Sequence, residues 1–302
     1  MVQHSLKLIM TIQLPQNFNF TSTIFSHGWY DLPPFAANET KKQLHTVISL
    51  SKTKHVCVRI RVHHALLTIT VENSVRLTIT EKERLKNNIR SMLRIDESLD
   101  EFYTLCRKEA HLRWIPKKGA GRILRSPTLF EDIVKMIFTT NCSWALTKIQ
   151  TTNLTKKLGI EAAEHIYSFP APETIAKKSE QWLRKEISCG YRAPYLLELC
   201  KSITNKKIEL ESLRHSALSS EELYWKLRSI KGVGHYAAGN LLKLLGRYDF
   251  LGIDSLVRKR FSVLHGKGRR ISDAAIEKYY DRYGTWRGLV CLMEVTSDWH
   301  ES

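Results

Sequence analysis

The feature that most constrains this chain is a change in its hydrophobic period near residue 80. Before that point apolar and polar residues alternate one by one, which is typical of strands with a single buried face. The alternation covers residues 56–62, 67–71 and 75–79, and the short segments "HHA" and "ENS" separate the three runs. We therefore predict an antiparallel β meander in the first part of the chain.

After residue 80 the apolar residues recur at the spacing of amphipathic helices. The segment "TEKE" predicts a capping box, with Thr80 as the N-cap and Glu83 at the third helical position. The segment "SSEE", from Ser219 to Glu222, predicts a second capping box. These patterns predict an α+β fold, with an N-terminal antiparallel β-sheet domain over residues 1–80 and a mostly α-helical domain over residues 81–302.

The 302 residues carry a formal net charge of +17, which favours a polyanionic partner. Nucleic acid, an anionic membrane surface and an acidic protein all satisfy this condition. No stretch reaches the roughly eighteen apolar residues of a membrane span, and the basic residues do not form one amphipathic helix, so only the charge supports a membrane role. The N-terminal "MVQHSLKLIMTIQLPQ" lacks the apolar core of a signal peptide, and we expect none.

Six cysteines are spread along the chain, and none pairs at C-x-x-C spacing: Cys57, Cys106, Cys142, Cys189, Cys200 and Cys291. The sequence therefore predicts neither a zinc site nor an iron–sulfur cluster. Because no secretory signal is expected, we predict reduced thiols in a cytosolic or nuclear compartment.

The helical pattern is interrupted at "KGVGH" and restarts in "YAAGNLLKLLG". Gly232 and Gly234, on either side of Val233, allow a tight turn whose backbone N–H groups converge. Such a turn beside a helix N-terminus can bind a phosphate oxygen without a side chain, and therefore without reading base sequence. A plain helix–helix turn is the alternative. A dinucleotide site has less support, because no strand precedes the glycines.

Asp254 follows in "GIDSLVRKRF", where another helix is predicted to begin. An N-cap aspartate accepts backbone N–H bonds and stays ionised at the positive end of the helix dipole. A carboxylate held beside a sugar can stabilise the cation that forms when an N-glycosidic bond breaks, and it can orient the attacking water. A simple helix cap is the alternative, although the two roles are compatible.

Basic residues follow this aspartate without an acidic residue among them: Arg258, Lys259, Arg260, Lys267, Arg269 and Arg270. Contacts to DNA phosphates and a solvated basic face are equally good explanations for any one of them.

At these residues the sequence resembles the helix-hairpin-helix superfamily of DNA glycosylases. The family's signature is a hairpin of the form L/I-x-G-V/I-G, a helix, and an aspartate beyond that helix, and "IKGVGHYAAGNLL…GIDSLVRKRF" is similar to it. The segments "GAGRILRSPTLFEDIVKMIFTTNCSWA", "CGYRAPYLLELC" and "YGTWRGLVCLMEVTSDW" look like further parts of the family. The β meander is similar to the N-terminal domain of 3-methyladenine DNA glycosylase II and 8-oxoguanine DNA glycosylase. The resemblance covers about residues 18–299 and places the helix-hairpin-helix at about residues 220–246.

The resemblance implies roles for the residues that match the motif. Asp254 falls on the catalytic aspartate. Five residues are expected to contact the DNA backbone: Gly232, Val233, Gly234, His235 and Arg258. In the family the hairpin carbonyls often hold a sodium or potassium ion, which here would use Gly232 and Gly234. No other cofactor is expected.

Other residues are expected to hold the flipped base and the gap that it leaves. Asn141 and Cys142 fall on the loop that fills the gap. Tyr236, Trp144 and Trp225 are candidates for the base pocket, since aromatic walls suit a flipped base and favour a cationic one. For the two tryptophans, plain core packing is at least as good an explanation. Trp29 in "SHGWYDLPPF" could line this pocket or anchor the β-sheet to the helices.

One position departs from the family pattern. The bifunctional members place a lysine where this chain has Tyr236, and a phenol cannot form an imine with the sugar. The resemblance therefore implies a monofunctional glycosylase, expected to be a monomer, which acts on a damaged base in double-stranded DNA. Alkylated purines such as 3-methyladenine are the favoured substrates.

Three alternatives remain open at this point. The chain could act on 8-oxoguanine or another lesion, or it could be bifunctional through a relocated lysine. It could also be a catalytically silent module that binds damaged DNA, although the retained Asp254 argues against that interpretation. We expect the protein in the nucleoid of a prokaryotic cytoplasm or in a eukaryotic nucleus.

Overall fold

Five strands near the N-terminus form an antiparallel sheet in the computed structural model, which describes residues 8–300. They are β1 (Ile9–Gln13), β2 (Ala36–Asn38), β3 (Gln43–Ser49), β4 (His55–His63) and β5 (Leu66–Val71). Their spatial order is β1-β5-β4-β3-β2, so the first strand closes one edge by pairing with the last. The runs at residues 56–62 and 67–71 are confirmed as β4 and β5.

The expected third strand at residues 75–79 is wrong: residues 75–78 form no strand, and a helix begins at Ile79, two residues earlier than predicted. Thr78, and not Thr80, is the N-cap, and its hydroxyl accepts a bond from the Glu81 N–H at 3.2 Å. Glu81 returns the contact by accepting the Thr78 N–H at 2.9 Å. The sequence contains two overlapping capping boxes, and the ion pair of Glu81 with Lys54 at 2.6 Å favours the first.

The remainder of the described chain is mostly helical, with one small ribbon formed by β6 (Glu161–Ala163) and β7 (Ile166–Tyr167). The first helices are α1 (Phe20–Ile24), α2 (Ile79–Leu93), α3 (Asp100–Lys108), α4 (Trp114–Lys118), α5 (Leu129–Thr139), α6 (Trp144–Leu158) and α7 (Pro172–Ala176). The others are α8 (Glu180–Trp182), α9 (Ala193–Thr204), α10 (Ser220–Arg228), α11 (His235–Leu244), α12 (Ser255–His265), α13 (Asp273–Tyr280) and α14 (Arg287–Val295). The capping box of Ser219 and Glu222 is confirmed at the start of α10.

One continuous cluster of buried side chains includes Ile60 of the sheet and Leu241 of α11. The division into two domains at residue 80 remains a prediction. None of the helices within residues 8–300 combines the length with the apolar composition that a membrane span requires. The same residues contain no group of three or more His, Cys, Asp or Glu side chains placed to hold a metal ion. All six cysteines are free thiols, and Cys142 is the one with a partly exposed side chain.

A buried hydrogen-bond network ties the loop after α1 to the helices. The Trp29 indole, which is buried, donates to the Asp132 carboxylate of α5 at 2.9 Å. Asp132 also accepts from the Ser126 N–H at 2.8 Å and from the Arg214 guanidinium at 2.9 Å. Trp29 is therefore an anchor between the N-terminal segment and the helices, which was one of its two predicted roles.

We predict that Trp29→Phe lowers the free energy of unfolding by at least about 2 kcal/mol, since it removes one hydrogen bond from a buried carboxylate and leaves a void. Urea denaturation would measure the change. Trp144→Phe is the matched control, because its indole also donates to an aspartate, Asp31 at 3.0 Å, but at the protein surface. Equal losses in the two variants would contradict the anchoring role.

Candidate functional site

Helices α10 and α11 are joined by a tight turn that contains the glycine motif. The Val233 N–H donates to the Ile230 carbonyl at 3.0 Å, which closes the turn, and the Val233 side chain is buried. Gly232 has a φ of +89°, a conformation that favours glycine. A side chain there would also meet the Tyr195 ring, because an added Cβ would lie 2.7 Å from Cδ2.

The N-terminus of α11 is exposed and has no side-chain cap. Gly234 occupies the N-cap position with extended backbone and accepts the Ala238 N–H at 2.9 Å. Because a glycine cannot supply a capping oxygen, the first N–H groups of α11 have no side-chain acceptor among residues 8–300. Uncapped N–H groups and the positive end of the helix dipole together form a suitable site for an anion.

His235 is the first residue of α11 and its side chain is held in place from α10. Its Nδ1 atom forms a hydrogen bond with the Tyr224 hydroxyl. Tyr224 in turn stacks on Phe250, with ring centroids 4.6 Å apart. The imidazole is exposed beside the uncapped N-terminus, so its other nitrogen can contact a ligand bound there.

Asp254 is the N-cap of α12, as predicted. Its Oδ1 atom accepts the Val257 N–H at 2.8 Å. Within residues 8–300, the Oδ2 atom has no hydrogen-bond donor, and the side chain is half-buried. The carboxylate is therefore fixed through one oxygen while the other remains available.

The segment before Asp254 lies directly against α11. An added Cβ on Gly239 would lie 2.8 Å from the Gly252 Cα atom, so the two backbones are in contact. The Asn240 amide spans this contact by donating to the Tyr236 carbonyl at 2.9 Å and to the Gly252 carbonyl at 3.3 Å. One helix thus carries the glycine turn at its N-terminus and supports the aspartate along its side.

Tyr236 lies close to Asp254, on the first turn of α11. Burial, and to a smaller extent the charge of Asp254, raise the pKa of Tyr236 to about 12, while a contact with the Thr139 hydroxyl opposes the shift. Cys142 also contributes to this pKa shift, so the loop after α5 lies close to the Tyr236 hydroxyl. The phenol is therefore neutral near pH 7.

The loop that follows α5 presents Asn141 at the surface. Asn141 has a φ of +47°, and the Cys142 thiol donates to the Phe138 carbonyl at 2.8 Å. The Arg192 guanidinium donates to the Thr140 carbonyl, and the exposed Tyr191 ring lies against Arg192. Sequence reasoning missed this support by Arg192, because no local pattern indicates which carbonyl a buried arginine will contact.

Two of the predicted site residues have other contacts: Trp144 lies away from the proposed base pocket, and Arg258 is already in an ion pair. Trp144 packs against Gly28 and donates to Asp31, so none of its observed contacts joins it to Tyr236 or Asp254. Arg258 forms a two-point ion pair with Asp273, with N–O distances of 2.7 and 2.8 Å. By contrast, four other basic side chains are exposed and have no carboxylate partner among residues 8–300: Lys259, Lys267, Arg269 and Arg270.

The comparisons with known proteins point to one kind of fold. No family model matches the sequence. A curated relative, "Putative DNA-3-methyladenine glycosylase YfjP" of Bacillus subtilis (strain 168), is 27% identical over 135 residues, which are 43% of this chain and 46% of that protein. The chain thus spans about half the length of the curated relative it matches.

Solved structures match nearly the whole chain. The 3-methyladenine DNA glycosylase of Archaeoglobus fulgidus has a TM-score of 0.77 at 22% identity, over 97% of this chain and 99% of that one. The 8-oxoguanine glycosylase/lyase of Clostridium acetobutylicum, bound to double-stranded DNA, has a TM-score of 0.73 at 19% identity, over 96% of this chain and 98% of that one. The chain therefore has the fold of the 3-methyladenine and 8-oxoguanine DNA glycosylases, and at the level of the fold the resemblance seen in the sequence is confirmed.

We predict that Gly232→Ala lowers the free energy of unfolding by about 1 to 3 kcal/mol, because alanine is strained at positive φ and its methyl group would displace Tyr195. Gly234→Ala is the matched control. It has ordinary extended backbone, and the nearest atom to its added Cβ is 3.9 Å away, so we expect a change within about 0.5 kcal/mol. Thermal or urea unfolding would measure both, and equal effects would contradict the assigned geometry of the turn.

Proposed function

We propose that this protein is a monofunctional DNA glycosylase, which flips a damaged base out of double-stranded DNA and hydrolyses its N-glycosidic bond. The observation that carries the proposal is the position of Asp254. Its carboxylate has one free oxygen and lies beside a helix whose uncapped N-terminus can hold a phosphate, in a chain with the fold of DNA glycosylases. Phosphate binding alone would not need this carboxylate.

The chemistry follows from the charge on Asp254. As the bond between C1′ and the base nitrogen breaks, positive charge develops on the sugar, and a fixed carboxylate at the pocket stabilises it. Water then forms the new bond to C1′, and its proton passes to the carboxylate or to solvent. A base that is already cationic leaves as a neutral molecule and needs no acid. This requirement suits the site, because the neighbouring Tyr236 phenol is a very weak acid.

In this proposal the segment α10–turn–α11 is a helix-hairpin-helix that holds the DNA backbone. The N–H groups that follow Gly232 and Val233, at Gly234 and His235, would bind a phosphate without reading the bases. Arg258 would contribute once DNA competes with its surface ion pair to Asp273, and the unpaired basic side chains nearby add attraction at longer range. The DNA bound to the Clostridium acetobutylicum structure supports this choice of partner.

The alkali ion at the turn remains part of the proposal. The Gly232 carbonyl accepts no backbone hydrogen bond in the described chain and is available to an ion. The Gly234 carbonyl already accepts the Ala238 N–H, so only its second lone pair could serve. When bound, such an ion would add positive charge beside the phosphate. We propose no zinc or iron–sulfur cluster.

Tyr236 is the residue we propose at the base pocket, and Asn141 with Cys142 would occupy the gap in the duplex. The support is the proximity of Tyr236 to both Asp254 and the loop after α5. Trp144 has no comparable support, because it contacts Gly28 and Asp31. An electron-rich ring at the pocket attracts a cationic base, which favours alkylated purines such as 3-methyladenine.

A second candidate substrate is 8-oxoguanine. The Clostridium acetobutylicum 8-oxoguanine glycosylase/lyase matches this fold nearly as well as the Archaeoglobus fulgidus 3-methyladenine enzyme, with TM-scores of 0.73 and 0.77. We propose a monomeric enzyme that works where the genome is, in the nucleoid of a prokaryote or the nucleus of a eukaryote.

We predict that Asp254→Asn slows release of 3-methyladenine from methylated duplex DNA by a factor of about 10² to 10⁴, because the amide still caps α12 but carries no charge. Mass spectrometry of the released bases would measure the rate under single-turnover conditions. Asp96→Asn, at an exposed ion pair with Arg90, is the control and should release base at the wild-type rate.

Other outcomes of this experiment separate the alternatives. Release of 8-oxoguanine but not of methylated purines would change the substrate and keep the mechanism. If both wild type and the variant bind DNA but release none of the tested bases, the protein would be a damaged-DNA-binding module and not an enzyme.

We also predict that sodium borohydride traps no covalent adduct between the wild-type protein and DNA that contains an abasic site. Tyr236 occupies the position at which the resemblance expects an amine, and a phenol forms no imine for borohydride to reduce. Gel electrophoresis of the treated complex would reveal any adduct. A trapped adduct would instead indicate a bifunctional enzyme, and Lys231→Met and Lys243→Met would then locate the amine.

A further inference from the structure

Lys243 is a buried lysine with no carboxylate partner. Its side chain lies on α11 and is 4% exposed. Within residues 8–300, no acidic side chain comes within ion-pairing distance of its Nζ atom. A buried cation without a partner lowers stability, so its presence in a helix that could bury a leucine calls for another explanation.

The hydrogen bonds of this lysine lead to the segment that carries Asp254. The Nζ atom donates to the Leu251 carbonyl and, at 3.0 Å, to the Asn240 side-chain oxygen. Asn240 in turn donates to the Gly252 carbonyl. Two successive carbonyls of the segment are thus bound from α11, immediately before Ile253 and the aspartate.

Asp254 is also the carboxylate whose charge acts most directly on Lys243. Burial lowers the pKa of Lys243 to about 8, and the neighbouring Cys291 and Asp254 oppose the shift. Cys291 is itself a neutral thiol, since burial raises its pKa to about 12. Behind it lie Tyr280, whose pKa burial raises further still, and Glu294.

On the basis of these contacts, and on the proposed glycosylase function, we propose that Lys243 is a positioning residue for Asp254. Directly and through Asn240, its ammonium holds the Leu251 and Gly252 carbonyls against α11, so the free carboxylate oxygen of Asp254 stays at the pocket. Lys243 does not touch the substrate. It acts through the backbone carbonyls and through the electrostatic field at the aspartate.

The proposal predicts that the rate of base release falls at alkaline pH, which gives the pH–rate profile an alkaline limb. The groups that face Lys243 are the Asp254 carboxylate and the Cys291 thiol, which is neutral near pH 8 because burial raises its pKa to about 12. Tyr236 on the same helix is also neutral, because its pKa is about 12. As pH rises through about 8, the ammonium of Lys243 is therefore the group that loses its charge, and the single-turnover rate should fall.

The test compares wild type with Lys243→Met and Lys243→Gln in single-turnover base release from methylated duplex DNA between about pH 6 and 9.5, after subtraction of spontaneous release. We expect the methionine variant to be at least tenfold slower near pH 7, to have no alkaline limb, and to bind DNA with an affinity within threefold of wild type.

The glutamine variant keeps a donor for the Leu251 carbonyl, so it should recover part of the rate but not the alkaline limb. Its thermal midpoint and that of Lys243→Met should equal or exceed the wild-type value, because an unpaired buried charge is removed.

A matched control separates positioning from stability. Lys135→Met also removes a buried lysine, but one that pairs with Glu131 on α5, away from Asp254. This variant should have a lower thermal midpoint and keep the alkaline limb. A wild-type rate and limb in Lys243→Met would overturn the inference, and so would a loss of rate that follows a loss of folded protein.

The failure of this inference can be distinguished from failure of the proposed function. If wild type releases the base, Asp254→Asn does not, and Lys243→Met behaves as wild type, then only the role of Lys243 is wrong. If wild type releases no base from any substrate, both the function and the inference are wrong.

Discussion

The close backbone contact between α11 and residues 251–253 is the constraint on which the rest of the candidate site depends. Gly239 and Gly252 approach so closely that a Cβ on Gly239 would lie 2.8 Å from the other residue's Cα atom. This approach makes one helix serve two purposes. Its N-terminus follows the glycine turn, and its side supports the aspartate at the start of α12. In the proposed enzyme, one helix would consequently set the distance between the phosphate-binding turn and the Asp254 carboxylate.

The two ends of α11 differ in how their backbone charges are compensated. At its C-terminal end the Leu244 carbonyl accepts hydrogen bonds from two arginines, the buried Arg94 at 2.8 Å and the half-buried Arg125 at 3.1 Å. Cations at this end satisfy the negative pole of the helix dipole. The N-terminal end has no side-chain cap, so its positive pole faces solvent. Because no side chain among residues 8–300 caps the first N–H groups of α11, that end is available to an anionic ligand.

The parts of the structure that were predicted from sequence are those that depend on neighbours in the chain. Strand β4 follows from alternation, and the capping box at Ser219 and the cap at Asp254 follow from local hydrogen bonds. Strand β3 was missed, because it is buried on both faces and its residues do not alternate. The start of α2 was misplaced by two residues, since the choice between overlapping capping boxes depends on Lys54, which is distant in sequence.

The sequence by itself determined the change from sheet to helix, the glycine turn, the aspartate at a helix N-terminus and the basic charge, because each is encoded in residue types at short spacing. Only the tertiary structure decided which of the candidate residues come together. It brought Tyr236 close to Asp254 and placed Trp144 against Gly28. It also placed Lys243 behind the aspartate. The physical reason is that close packing between distant segments selects these contacts, and no local pattern records which segment will lie opposite.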